Sequence, residues 1–199
     1  MKNCIVLLMV ILFGILNLSA QDRADASLNG SVLSLNSATN NGITRASSTT
    51  GGVSASLRLW ITARNGIEFN YGHANDTQEV TINGSKATLD TGIHEVSGLY
   101  VFRLTPSPRF RPFFGAGAAL LQFNPKKDPL FIFNPVPESQ NKAGLVYTAG
   151  ADYMFSQHVG VRLQFRGLVF AAPSFMIETF RSNTMHHLSE PTFGFVYHF

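Results

Sequence analysis

Thr192-Phe193-Gly194-Phe195-Val196-Tyr197-His198-Phe199 is the stretch whose reading decides the fold. In extended backbone, successive side chains point to opposite faces. Phe193, Phe195, Tyr197 and Phe199 therefore form one stripe of four aromatics. Thr192, Gly194, Val196 and His198 form the other. At a chain end exposed to water, fraying would bare such a stripe. A strand standing in lipid has a use for it, with apolar side chains outward and small or polar ones inward.

The same alternation recurs upstream. It predicts strands over Ala26–Leu35, Gly52–Trp60, Gly66–His73, Ile93–Leu104, Arg109–Phe123, Ala143–Phe155 and Val159–Phe170, with the terminal stripe as the eighth. In most, an apolar row opposes a small or polar one, as Val53, Ala55, Leu57 and Leu59 oppose Ser54, Ser56 and Arg58, while over Ala26–Leu35 the alternation is weak. Residues 36–50 are rich in Ser, Thr, Asn and Gly and read as a loop. So does the polar segment 74–90, where Asn83-Gly84 is a strong turn signal for a small hairpin of its own. Segments 124–142 and 171–187 read as the other long loops. Short turns are expected at residues 62–65, 105–108 and 156–158, with proline breaking the ladder at Pro106 and Pro108. Residues 21–25 read as a polar lead-in.

Long and short connections alternate, as in a barrel with tight turns on the periplasmic side and long loops outside. The fold expected is all-β: an eight-stranded antiparallel up-and-down transmembrane β-barrel. A water-soluble barrel has the same period with the faces reversed. The charged positions Arg58, Glu68, Glu95, Arg103, Arg111, Asp152, Arg162 and Arg166 share the face opposite the aromatics, which in lipid is the lumen.

Met1–Ala20 has the features of a signal peptide: Lys2, an apolar run from Ile5 to Leu16, and Ser19-Ala20 before Gln21. The run is shorter than the ~20 residues of a spanning helix, which favours cleavage over an anchor. The expected domains are thus 1–20, signal peptide, and 21–199, barrel. The only cysteine, Cys4, leaves with the signal, so no disulfide or cysteine metal site is expected. Losing Lys2 takes the formal charge from +3 to +2, and no basic cluster points to nucleic acid.

With the strands placed, Gly98-Leu99-Tyr100-Val101-Phe102, residues 111–118, Gly150-Ala151-Asp152-Tyr153, residues 161–166 and the end from Gly194 to Phe199 resemble the small outer-membrane barrel superfamily of the OmpA transmembrane domain and OmpX. The resemblance covers most of the mature chain and is specific for fold, not for function. It implies export to the outer membrane of a Gram-negative-type bacterium, assembly from the periplasm with chaperones and the barrel assembly machinery, and contact with outer-membrane lipids. It further implies that Phe199, with Phe195 and Tyr197, forms the C-terminal assembly signal. No peptidoglycan-binding segment follows Phe199, so no cell-wall tether is expected.

Four groups of residues bear on function. The eight lumen charges, five arginines and three acids, are expected to form a salt-bridge network, because unpaired charges in a narrow lumen are costly. The arginine excess also suits a narrow, anion-preferring channel. His186-His187-Leu188-Ser189-Glu190 holds a histidine, a serine and an acid, the set of a lipid A-modifying hydrolase. His187 and Ser189 share a face in extended backbone, but Glu190 points the other way and no oxyanion-hole residue is evident. These are read as polar residues ending a loop. His73, His94, His158, His186, His187 and His198 are scattered without metal-ligand spacing, and no metal or cofactor is assigned. Finally, Leu130–Pro135 and Phe170–Phe180 are apolar for loops, so 124–142 and 171–187 are candidate partner surfaces. The function expected is a non-enzymatic outer-membrane barrel with a structural or surface-interaction role. A small-solute channel is the alternative, and a lipid-modifying enzyme is less favoured.

Overall fold

The computed structural model describes residues 24–35, 38–40, 43–45, 48–82, 85–105, 107–125, 139–171 and 185–199. The signal segment 1–20, the Asn83-Gly84 turn and most of both apolar loop stretches lie outside these residues.

Ten strands follow in order: β1 (Ala24–Leu35), β2 (Ala38–Asn40), β3 (Ile43–Arg45), β4 (Ser48–Trp60), β5 (Asn65–Ile82), β6 (Ser85–Arg103), β7 (Phe110–Pro125), β8 (Gln140–Met154), β9 (Val159–Ala171) and β10 (Met185–His198). Eight of them close a barrel. Each pairs antiparallel with its sequence neighbour from β4 to β10, and β1 joins β4 on one side and β10 on the other. The short β2 and β3 pair with each other, and β3 leans on β5 at Arg45↔Val80. Closure leaves no open sheet edge around the barrel, the condition for crossing lipid with strands.

Four expectations change at the strand ends. Residues 74–90 are no separate hairpin: β5 and β6 run on continuously from His73↔His94 to Ile82↔Ser85. β-branched Thr77, Val80, Thr81 and Ile82 suit a strand, and Thr77 Oγ1 donates to Asp90 Oδ1 across the pair at 2.6 Å. β10 starts at Met185, not Thr192, so His186–Glu190 lie within a strand rather than ending a loop. Residues 36–50 are not all loop, since β2, β3 and the start of β4 lie there. Phe170, the last residue of the expected seventh strand, lies in β9 and faces the lumen, buried against Phe123 with ring centroids 5.7 Å apart. Residues 24–25 are the start of β1, not a lead-in.

The short connections are held by side-chain hydroxyls. Thr62 Oγ1 accepts the N–H of Asn65 at 3.0 Å, and Ser156 Oγ accepts that of Val159 at 3.0 Å. Such local bonds let a chain reverse in four residues.

The burial pattern is inverted relative to a water-soluble protein. Arg58, Glu68 and Arg162 are 0% exposed, whereas Leu28 is 67%, Leu163 66% and Phe195 66% exposed. Burying charge inside and baring leucine outside is stable only where the outside is hydrocarbon. This settles the choice between membrane and water-soluble barrel. Aromatics flank the apolar band, as membrane interfaces favour. Phe102 packs on Phe114, Tyr153 on Phe155 and Tyr197 on Phe199 near the short turns. Toward the loop end, Tyr71 Oη meets His94 Nδ1 at 2.9 Å and Tyr147 Oη meets His187 Nε2 at 2.7 Å.

Candidate functional site: the filled lumen

The inward residues of β9, Arg162, Gln164, Arg166, Leu168 and Phe170, serve as a ruler from the short-turn end to the loop end. All five are buried. Three polar layers and an apolar collar succeed one another along it.

The lowest layer closes the short-turn mouth. Asp25 accepts the Trp60 Nε1–H at 2.7 Å through Oδ2 and meets His198 Nδ1 at 2.5 Å through Oδ1. Arg103 reaches Asp25 at 3.6 Å, and its guanidinium lies 3.8 Å from the Trp60 ring centroid, a cation–π contact. Arg111 is only half-buried and donates to the Ser107 carbonyl at 3.3 Å, so it stands at the rim.

The middle layer is a square of four charges. Arg58 and Glu68 are direct neighbours across β4 and β5, joined at 2.5 and 2.7 Å. Asp152 and Arg162 are direct neighbours across β8 and β9, joined bidentately at 2.7 and 3.0 Å. Both cross-links, Arg58 to Asp152 and Arg162 to Glu68, measure 3.4 Å. Arg162 also donates to Ser56 at 3.1 Å. Phe113 inserts its ring 4.0 Å from the Arg58 guanidinium. Bidentate geometry and further donors are what let buried ion pairs offset their desolvation.

The upper layer centres on Arg166. It bonds Glu190 at 2.7 Å, its direct neighbour across β9 and β10, and also Glu95 from β6 and Ser97 at 3.0 Å. Above it Leu33, Ala74, Ile93, Leu121, Phe123 and Leu188 form the collar with Leu168 and Phe170.

Of the eight charges singled out from sequence, seven are buried inside the barrel, and Arg111 is the one left at the rim. Sequence reading missed Asp25, Trp60 and Glu190, and did not assign His198 a partner. The pattern did hold the signal. Glu190 lies on the same face as Thr192, and Asp25 on the same face as Ser27, one strand step earlier. With them and Asp76, the buried charges of the described lumen are Arg58, Arg103, Arg162 and Arg166 against Asp25, Glu68, Asp76, Glu95, Asp152 and Glu190, with Arg111 and Lys142 only partly buried. The arginine excess behind the anion-preferring reading is therefore gone.

The histidine–serine pair faces outward. His187 Nδ1 lies 3.3 Å from Ser189 Oγ, while its Nε2 meets the Tyr147 hydroxyl. Glu190 is inward on Arg166, as alternation requires, so no carboxylate of this segment orients His187. Phe195, Tyr197 and Phe199 are exposed on the lipid face of β10.

A closed barrel with an apolar exterior and a packed, ionic interior defines an integral outer-membrane β-barrel protein. The outer membrane protein beta-barrel domain model matches residues 5–199, and the chain belongs to that family. Among solved structures it is similar to Neisserial surface protein A (12% identity, 88% of this chain and 97% of that one, TM-score 0.63). It is also similar to OprG of Pseudomonas aeruginosa (17%, 89% and 97%, TM-score 0.59). A third is Ail, the attachment invasion locus protein of Yersinia pestis (11%, 89% and 99%, TM-score 0.54). At such identities the likeness is one of fold. No curated protein sequence matches the chain.

Proposed function

We propose that the protein is a non-enzymatic outer-membrane barrel whose lumen is structural filling and whose working surface is its loop end. The observation that carries this reading is the middle layer. Four fully buried charges are cross-linked from both sides of the barrel, with Phe113 packed between them, and an open solute path would have to break pairs that cost several kcal/mol each to separate. An eight-stranded barrel is just wide enough for side chains to fill. Two of the similar structures, a surface protein and an attachment invasion locus protein, support a surface role.

Planar-bilayer recording tests it. The refolded protein is expected to add no sustained conductance. A steady ohmic current would overturn the reading and favour a small-solute channel.

The hydrolase alternative finds little support in the site. Ser189 has His187 beside it, but tyrosine rather than carboxylate holds the imidazole. Leu188 and Ser189 pair with both β1 and β9, Glu190 pairs with β9 alone, and its carboxylate is turned inward onto Arg166.

Biogenesis belongs to the same proposal. Phe199, with Phe195 and Tyr197, acts as the recognition stripe for the assembly machinery after a cleaved signal directs export. Phe199→Ser is expected to lower the outer-membrane level in cells while leaving detergent-refolded protein as stable as the parent. Equal levels in cells would remove that role.

A further inference from the structure

Strand register opposes two histidines that lie far apart in sequence. His73 on β5 and His94 on β6 are direct cross-strand neighbours, with ring centroids 4.5 Å apart. Both stand on the outward row and are half-buried. Val53 faces His73 from β4, and Gln122 faces His94 from β7. The same outward face continues toward the loop end through Asn75↔Gly92 and Thr77↔Asp90, where Asn75, Thr77 and Asp90 are exposed. An ion in water thus reaches the pair along a polar surface without crossing the apolar band.

Three observations there point to a ligand. First, neither imidazole is paired with a carboxylate among the described residues. Two adjacent imidazolium charges would repel, whereas two neutral rings can share one cation. Second, Tyr71 Oη lies 2.9 Å from His94 Nδ1. With Nδ1–H donating to that oxygen, Nε2 keeps its lone pair, and a hydrogen bond on one ring nitrogen is what orients a histidine for metal on the other. Third, His73 Nδ1 is buried without a partner among the described residues, so no bond on that nitrogen holds the ring in its stacked pose. The strand geometry suits a shared ion. Directly opposed residues place their Cβ atoms about 4.5–5.5 Å apart. Two nitrogens on one tetrahedral zinc stand about 3.3 Å apart, given bonds of about 2.0–2.1 Å. Turning the rings about χ2, a broad torsion for histidine, converts the stack into a chelating pair.

We propose that His73 and His94 form a two-histidine site for a divalent transition metal such as Zn(II) or Ni(II). Nε2 of His94 and a ring nitrogen of His73 are the donors, Tyr71 positions His94, and water completes the coordination from the loop side. No cluster of three or more His, Cys, Asp or Glu occurs among the described residues. The metal is therefore held by two protein bonds and exchanges, rather than serving as a structural centre. Imidazole selects against Mg(II), which prefers oxygen.

The test uses the untagged full barrel in lipid nanodiscs with isotope-labelled histidines, titrated with zinc chloride or magnesium chloride and followed by NMR. Empty nanodiscs give the lipid background. Zn(II) is expected to shift the ring nitrogens of His73 and His94 saturably, and Mg(II) to leave them in place. His73→Asn and His94→Asn are each expected to weaken binding about ten-fold or more. Tyr71→Phe, which keeps the aromatic ring, is expected to weaken it about ten-fold, the lower end of what a lost partner of a ligating histidine costs. His187→Asn, another outward histidine, is expected to leave the affinity unchanged. The heat-induced band shift shows that each variant folds, and either histidine variant serves if the other does not. No saturable shift at these two rings, an equal response to Mg(II), full affinity in a folded His73→Asn or His94→Asn variant, or loss of binding in His187→Asn would each overturn the proposal. Full affinity in Tyr71→Phe would overturn its positioning role. The conductance experiment is independent, so failure here leaves the filled-lumen reading standing.

Discussion

Removing Asp152 is the sharpest probe of how the lumen is held. Asp152→Ala deletes two close bonds to Arg162, at 2.7 and 3.0 Å, and the 3.4 Å link to Arg58. Two guanidinium groups, each 0% exposed, are left facing Glu68 alone. A buried charge stripped of its partner costs about 3–5 kcal/mol, far above the methylene-scale loss from shortening the side chain. Asp152→Ala with Arg162→Met removes the orphan, fills its volume and restores one acid to one base. That double variant is expected within about 1–2 kcal/mol of the parent, because replacing a buried pair by apolar groups is often near neutral. The double variant is then about 2–3 kcal/mol more stable than Asp152→Ala, and Arg162→Met alone completes the cycle that gives the coupling. Urea unfolding in lipid vesicles measures it. Trp60, the sole tryptophan, is the reporter because it is buried against Arg103 and Asp25. A single variant within about 0.5 kcal/mol of the parent, or a double variant at the sum of the two singles, would refute the idea that charge balance governs the interior.

Other substitutions separate lipid face, interface and seam. Leu163→Arg places a charge on the exposed apolar band and is expected to cost about 2–4 kcal/mol, against about 0–1 for Gln122→Arg beyond it. The same urea titration reads both. A Cβ on Gly117 would run into the Gly98 carbonyl and the Leu99 backbone, whereas one on Gly30 would meet only the Phe193 carbonyl at 3.9 Å. Gly117→Ala should therefore lose about 1–3 kcal/mol through overpacking, while Gly30→Ala holds its urea midpoint. His198→Ala removes one of the Asp25 partners and should cost about 1–2 kcal/mol. An unchanged midpoint would mean that Trp60 and Arg103 suffice.

Strand period and loop rhythm carried the fold, because in most strand segments the two faces differ. Val161, Leu163 and Phe165 against Arg162, Gln164 and Arg166 admit one reading. The strand ends were harder, for a reason peculiar to an inside-out protein. An inward side chain is polar, and so is a loop. Near a terminus or a turn the two cannot be told apart by composition. Asp25 and Glu190 were lost in this way, and the β5–β6 extension over 74–90 looked like loop because most of its residues are polar. Layering along the axis was not legible either. Glu95 meets Arg166 from 71 positions away in sequence, and no local spacing encodes that meeting. The three direct cross-strand pairs, by contrast, follow once register is known.

The seam between β1 and β10 has a kinetic consequence. The Asp25–His198 contact joins positions 173 apart, and the Phe199 N–H bonds the Ala24 carbonyl beside it at 3.0 Å. Every other barrel pairing links consecutive barrel strands, with only the short β2 and β3 lying between β1 and β4, so hairpins can zip one after another. The seam cannot form until all of them stand, and loop-closure entropy makes such long-range contacts late. Until then β1 and β10 each present an unpaired edge, the state most open to mispairing with another chain. Weakening the seam should thus speed unfolding more than it slows the early zipping steps.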